Sequence, residues 1–137
     1  MIISVIGLGV SIYLTVEHYT GNATLACSSN GTIDCAKVTT SPESKIIGIP
    51  VAVLGLPFFV AMVAANLPAA WRSTLPWLRL GRLLSVGVGI VFVLYLVYVE
   101  LFRVDAICLW CTSVHVLTFL LLVIVLLAEA GRDSFAP

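Results

Sequence analysis

With 137 residues, 61% of them hydrophobic and only 10% charged, and a mean hydropathy of +1.14, the chain lacks the polar surface that a water-soluble domain of this size needs. The formal net charge is zero and neither end carries a basic or acidic run, so nothing argues for a nucleic-acid partner. The length suits one compact unit, and the solvent implied by the composition is lipid.

Four apolar stretches follow in chain order. The last three approach the ~20 residues that a helix needs to cross a hydrocarbon core ~30 Å thick. Backbone groups in lipid must be satisfied internally, so the stretches read as helices over about 1–19, 49–67, 80–102 and 106–128, with a polar loop over about 20–48. The expected fold is an all-α integral membrane protein: a four-transmembrane-helix bundle forming one domain over 1–137. The first stretch has a rival reading as a cleaved signal peptide, because "TLAC" before Cys27 faintly resembles a lipoprotein cleavage box. The lack of a basic start, and the polar residues from Glu17 to Thr24 between run and box, count against it.

The loop carries Cys27 and Cys35 in "LACSSNGTIDCAKV", a stretch with no apolar run, where a thiol is open to a water-soluble protein. Taken alone, the pair reads first as a loop-closing disulfide, worth about 2–3 kcal/mol in the chain-entropy model. Two sequons, Asn22-Ala-Thr and Asn30-Gly-Thr, count only in an organism that glycosylates that compartment. In the second helix Pro50 suits the first turn, while Gly55 and Pro57 are expected to bend it and open space beside the fourth helix.

The connection "WRSTLPWLRLGR" holds Arg72, Arg79 and Arg82 with no acid, which assigns it to the cytoplasm, with Trp71 and Trp77 at the interface. Both termini are then cytoplasmic. The loop 20–48, the turn 102–105 and all four cysteines face outward from the inner or plasma membrane. Near the outer end of the third helix, Tyr95 and Tyr98 read first as interface aromatics, with lining of a quinone pocket as the alternative; Glu100 reads first as an interfacial carboxylate in water, with proton relay as the alternative.

The fourth helix opens on "AICLWCTSVH". Cys108 and Cys111 share a helix face, which His115 continues. A helix N-terminus favours the thiolate, so this is a reactive pair at the membrane edge; the alternative is two ordinary buried cysteines. On the oxidising outer face four cysteines allow three pairings, and spacing does not choose among them. A loop pair that meets a soluble protein and an edge pair that meets lipid would together carry two electrons by thiol–disulfide exchange. The natural two-electron acceptor in lipid is a quinone, and His115 on the cysteine face would supply a proton or hydrogen bond to its carbonyl oxygen.

A loop cysteine pair, the polar "CAKVTTS", a "GIPVAVLG" helix and a late "CLWC", in that order, resemble the vitamin K epoxide reductase family in its bacterial branch, over essentially the whole chain. Another type of quinone-linked membrane thiol oxidase carries its Cys-X-X-Cys in the first outer loop, the reverse of the order here. The resemblance implies that Cys27 and Cys35 shuttle electrons from an extracytoplasmic thioredoxin-like (DsbA-like) partner. It also implies that Cys108 exchanges with Cys35, that Cys111 faces the quinone, and that Ser41 occupies the family's Ser/Thr position beside it. Two departures stand out: His115 replaces the Tyr of animal members, and the second helix lacks their early Asn. Both favour a respiratory quinone, menaquinone or ubiquinone, over vitamin K epoxide. Many bacterial relatives carry a fused thioredoxin-like domain; here the chain stops at Pro137, so a separate partner is expected. The function implied is a membrane thiol–quinone oxidoreductase that supports disulfide-bond formation, with no metal.

The rival from another class is a small metal-binding membrane transporter. Cys108, Cys111 and His115 form a C-X-X-C-X₃-H pattern whose soft thiolates and imidazole suit zinc, copper(I) or mercury. The spans offer no further ladder of ionisable groups to pass an ion onward. A purely structural four-helix protein is the third reading.

Overall fold

A computed structural model describes residues 1–21, 27, 31 and 33–135. The two sequon asparagines, Asn22 and Asn30, and residues 24–26 of the cleavage-box reading lie outside the described residues. The chain is mostly helical: α1 covers Ile2–Tyr19, α2 Cys35–Thr40, α3 Val51–Ala65, α4 Pro68–Arg72, α5 Pro76–Val99 and α6 Leu109–Phe135. A 3₁₀ turn over Pro42–Ser44 and a hairpin of β1 (Lys45–Ile46) with β2 (Ile49–Pro50) lie between α2 and α3, and a π-helical turn over Glu100–Val104 extends α5.

Among the described residues, three helical segments are long and apolar enough to cross a membrane: Ile2–Tyr19, Pro76–Val104 and Leu109–Phe135. The second expected span, 49–67, is shorter than its apolar run. Helix α3 has 15 residues, which rise about 22 Å. It is bounded by Pro50 before its first residue and by Asn66 after its last. The Asn66 side chain turns back to donate to the Met62 carbonyl at 2.8 Å, closing the helix end locally.

The other boundaries also move. Helix α5 starts at Pro76 instead of about 80, because a proline with fixed φ and no N–H is accommodated in a first turn. Its π-helical extension makes most of the expected turn 102–105 helical. Helix α6 runs from Leu109 to Phe135 instead of 106–128. The loop 20–48 is partly ordered into elements. Asp34 caps α2, its carboxylate accepting the Lys37 N–H at 3.0 Å. The hairpin turns through Ile47 and Gly48, both at positive φ (54° and 78°), a tight turn of the kind that matches the twist of its strands.

Helix α1 packs most closely against α3, and α6 against both α1 and α5. Small residues permit this. A Cβ on Gly7 would overlap the Phe59 ring, and one on Gly55 would lie 2.8 Å from the Ser11 Oγ. One core cluster, of Phe59, Met62, Val86, Leu121 and Val125, fills the half of the bundle away from the cysteines.

That half ends in a charged clasp. Arg82, expected in a cytoplasmic connection, is buried within α5. Its Nε and Nη2 donate to the Ala65 carbonyl at the end of α3 (3.0 and 2.7 Å), and its Nη1 donates to Glu129 of α6. The guanidinium stacks 3.7 Å above the centre of the Trp71 ring, and Arg79 adds a second ion pair to Glu129 at 3.1 Å. One side chain therefore joins α3, α4, α5 and α6. Removing one partner of a buried pair costs about 3–5 kcal/mol where nothing else compensates the other, and Arg79 at 3.1 Å from Glu129 should reduce that cost here. Arg82→Ala should lower the thermal midpoint in detergent, and Arg82→Met combined with Glu129→Met should recover most of the loss. An Arg82→Ala protein as stable as the wild type would remove the clasp from the account of stability.

Candidate functional site

The cysteine end is built from the backbone outward. Ile33, before α2, forms a parallel bridge with Ile107, before α6, and the Asp34 N–H donates to the Ile107 carbonyl at 3.0 Å. Asp105, in the left-handed region at φ 53°, turns the chain out of the π-helical segment toward this bridge; the short polar side chain of Asp makes that conformation tolerable. The bridge sets the starts of α2 and α6 side by side, and Cys35 and Cys108 stand at those two starts.

Both are buried, at 1% and 0% exposure, in one cluster with Val38, Val99, Val104 and Ala106. Cys27 and Cys111 pack against the same cluster, so all four cysteines meet at one place. Cys27 and Cys35 are joined as a disulfide with Cα atoms 6.1 Å apart, while Cys108 and Cys111 are free thiols. The sequence reading of an open loop pair needs correcting here. Only Cys27 retains partial exposure, because α2 folds Cys35 inward beneath the loop.

Cys108 caps α6. Its Sγ accepts the Cys111 N–H at 3.2 Å, while its carbonyl accepts the Thr112 N–H at 2.8 Å. The hydrogen bond from the Cys111 side chain is the main force holding the Cys108 thiol below its ordinary value, helped by the backbone N–H groups of Cys111 and Trp110. Burial and the nearby Glu100 carboxylate oppose the shift.

Below the cysteines lies a cavity of about 280 Å³ lined by α1, α2, α3, α5, α6 and the loop. Its walls are largely apolar, with Leu14, Val51, Phe58, Phe92 and Leu96 among them. Cys111 and His115 face it from α6, and Ser41 faces it from the loop. The Ser41 hydroxyl donates to the Val38 carbonyl at 2.8 Å and keeps its lone pairs for other contacts. Three of the residues singled out from sequence thus share one wall system.

Two further residues reach the cavity, and one of them, His18, has no role in the sequence expectations. His18, at the end of α1, lines it, and in its Nδ1–H tautomer donates to the Thr39 carbonyl at 3.3 Å. Glu100, expected in water, is 6% exposed and turned into the cavity by the π-helical segment. Tyr95 and Tyr98 are exposed, in keeping with an interfacial reading.

Residues 1–126 match the family model described as the vitamin K epoxide reductase family. The chain belongs to that family. No curated protein matches it. Membership of the vitamin K epoxide reductase family makes the chain a membrane-associated oxidoreductase, and the disulfide-bonded Cys27–Cys35 pair fits such an activity. Cys108, Cys111 and His115 do not converge as a ligand set: among the described residues no three of His, Cys, Asp or Glu are grouped to hold a metal ion.

The state of Cys108 gives a direct test, with the Cys27–Cys35 disulfide left intact so that it does not titrate. Cys111→Ala removes the side-chain donor, so the Cys108 thiolate should form at higher pH than in Cys111→Ser, which keeps an O–H donor. Thiolate absorbance against pH reads the difference. Coincident curves would mean that the side-chain hydrogen bond does not set the reactivity of Cys108.

Proposed function

We propose that this member of the family is a thiol–quinone oxidoreductase that supports disulfide formation outside the cytoplasm. The observation that carries the reading is the meeting of both cysteine pairs in one cluster, one pair a disulfide and the other a free dithiol whose Cys111 lines a largely apolar cavity. Four spans, with α3 completing the bundle, and an outward-facing cysteine end belong to the same proposal.

The path runs by exchange. A thioredoxin-like partner, DsbA-like in chemistry, gives up two thiol protons and two electrons, and the Cys27–Cys35 disulfide becomes two thiols. The Cys35 thiolate then attacks Cys108 of a Cys108–Cys111 disulfide. A Cys35–Cys108 mixed disulfide forms, and Cys27 resolves it to regenerate Cys27–Cys35 and leave Cys108 and Cys111 reduced. The common cluster of these residues removes the need for a long loop excursion at this step. The depressed Cys108 thiol makes it a good leaving group.

The cavity suits a quinone head group: a flat apolar ring is accommodated by the aliphatic and aromatic walls, and its two oxygens need a few polar groups. Ser41 and His115 would hold it, with Cys111 the sulfur nearest the ring. A bound quinone, menaquinone or ubiquinone, supplies an acceptor for two electrons and two protons. His115 orients an oxygen and holds a proton at its ring nitrogen, while the walls exclude water from the thiols.

The experiment is a stoichiometric titration: the reduced protein in detergent, free of reductant and air, receives a soluble quinone while quinone absorbance and free thiols are followed together. Two thiols should disappear per quinone reduced. Cys27→Ala or Cys35→Ala should stop oxidation of a protein dithiol yet spare reaction of the Cys108–Cys111 dithiol, and Cys111→Ala should abolish both. Activity surviving Cys111→Ala, or thiols that persist beside untouched quinone, would overturn the proposal.

A further inference from the structure

Oxidation of the Cys108–Cys111 dithiol breaks two S–H bonds, forms one S–S bond and sends two electrons and two protons to the acceptor. Two protons must therefore leave sulfurs set largely away from bulk water, Cys108 being buried and Cys111 half-buried. Around this pair the cluster holds aliphatic side chains, Trp110 and the disulfide-bonded Cys27 and Cys35, none of which is a base for a thiol proton. A group able to take a proton from sulfur must stand inside the same enclosure.

Glu100 stands there. Its side chain is buried, lines the cavity beside Cys111, and interacts electrostatically with both Cys108 and Cys111. The Cys108 backbone N–H hydrogen-bonds to its carboxylate. Its own carbonyl accepts the Ala106 N–H at 3.2 Å, so the segment that carries the carboxyl is fixed to the segment that carries Cys108. A π-helical turn is an uncommon element that often marks a functional position, and here it swings an acid off the lipid-facing side of α5 into the site. An ionisable group within a membrane-spanning segment is costly, and a role in proton handling accounts for its presence.

We propose that Glu100 is the proton-transfer residue of the Cys108–Cys111 pair. Its carboxylate accepts one thiol proton as the pair is oxidised and passes it through the cavity to the reduced acceptor, so Glu100 ends each turnover in the state in which it began. The second proton passes from the other sulfur to the reduced acceptor by way of His115. This rests on the thiol–quinone reading above and deepens it.

Several titratable groups surround Glu100. Cys111 and His115 face the shared cavity from α6, and His18 faces it from α1. Cys35 on α2 is held in its disulfide. Glu43 of the 3₁₀ turn also lines the cavity and lies 3.8 Å from Arg103 of the π-helical turn.

The test has two readouts on the same protein. The first needs no quinone: alkylation of the reduced Cys108–Cys111 pair by a small reagent is followed against pH, with Cys27–Cys35 intact. The wild-type profile should show two steps, because the carboxyl and the thiols titrate together, and Glu100→Gln should leave one step that begins at lower pH. The second readout is oxidation of the pair by a soluble quinone, which should slow about 100-fold in Glu100→Gln even though its thiols are easier to ionise. Faster alkylation with slower oxidation is an outcome that a packing role does not produce. Superimposed alkylation profiles, or wild-type oxidation rates, would overturn the assignment. Should Glu100→Gln fail to fold, Glu100→Asp carries the test, since it should keep the two-step profile while oxidising more slowly; a single step or an unchanged rate would count against it. If the wild-type pair is not oxidised by quinone at all, the functional reading falls, while the alkylation comparison still decides the coupling between Glu100 and the cysteines.

Discussion

One backbone contact holds the site together: the parallel bridge between Ile33 and Ile107. These residues are far apart in sequence, and each lies just before a cysteine that begins or caps a helix. The bridge fixes the register of the loop against the start of α6, so a shift along it would separate Cys35 from Cys108. It also gives otherwise unpaired backbone groups a partner at a place with little room for water. The disulfide, the capped α6 and the cavity beneath them all depend on that register.

The polar groups inside this apolar chain are concentrated at two ends with opposite chemistry. At one end Arg82 and Glu129 satisfy each other and the Ala65 carbonyl, and the result is a fixed, charge-balanced junction. At the other end Cys111, two histidines and the carboxyls of Glu43 and Glu100 line a cavity whose walls are largely apolar. Buried polar networks rigidify when fully satisfied and become reactive when left partly open. The chain uses the first arrangement to hold its helices and the second to form a site.

Much of this was legible in the sequence. The apolar runs located α1, α5 and α6, because a hydropathy window detects a helix in lipid directly. The cysteine order carried the family resemblance, and the match over 1–126 bears out that resemblance. Residues whose roles depend on contact across the bundle were read less well. Arg82 looked like one of three loop arginines because positive-inside counting weighs charge and not direction. Glu100 looked interfacial because a π-helical turn leaves no mark in helical periodicity. His18 could not be linked to the site from spacing, since it is joined to it only through the fold of the loop and the Thr39 carbonyl. Cys35 read as accessible because its stretch is polar, yet α2 turns it inward.

Helix α3 has a further consequence. At 15 residues it falls short of a hydrocarbon layer ~30 Å thick, a mismatch that usually thins the surrounding bilayer or draws flanking side chains toward the headgroups. Here the final carbonyl of α3 is taken by Arg82 within the protein, so that end of the helix needs neither water nor headgroups. Membrane thickness therefore acts on the longer segments, Pro76–Val104 and Leu109–Phe135, whose apolar faces are exposed. Because Arg82 also holds Glu129 of α6, these two helices and the short one meet a thicker or thinner bilayer as one unit. A mismatch that would fall on the short helix alone is thereby shared by its longer neighbours.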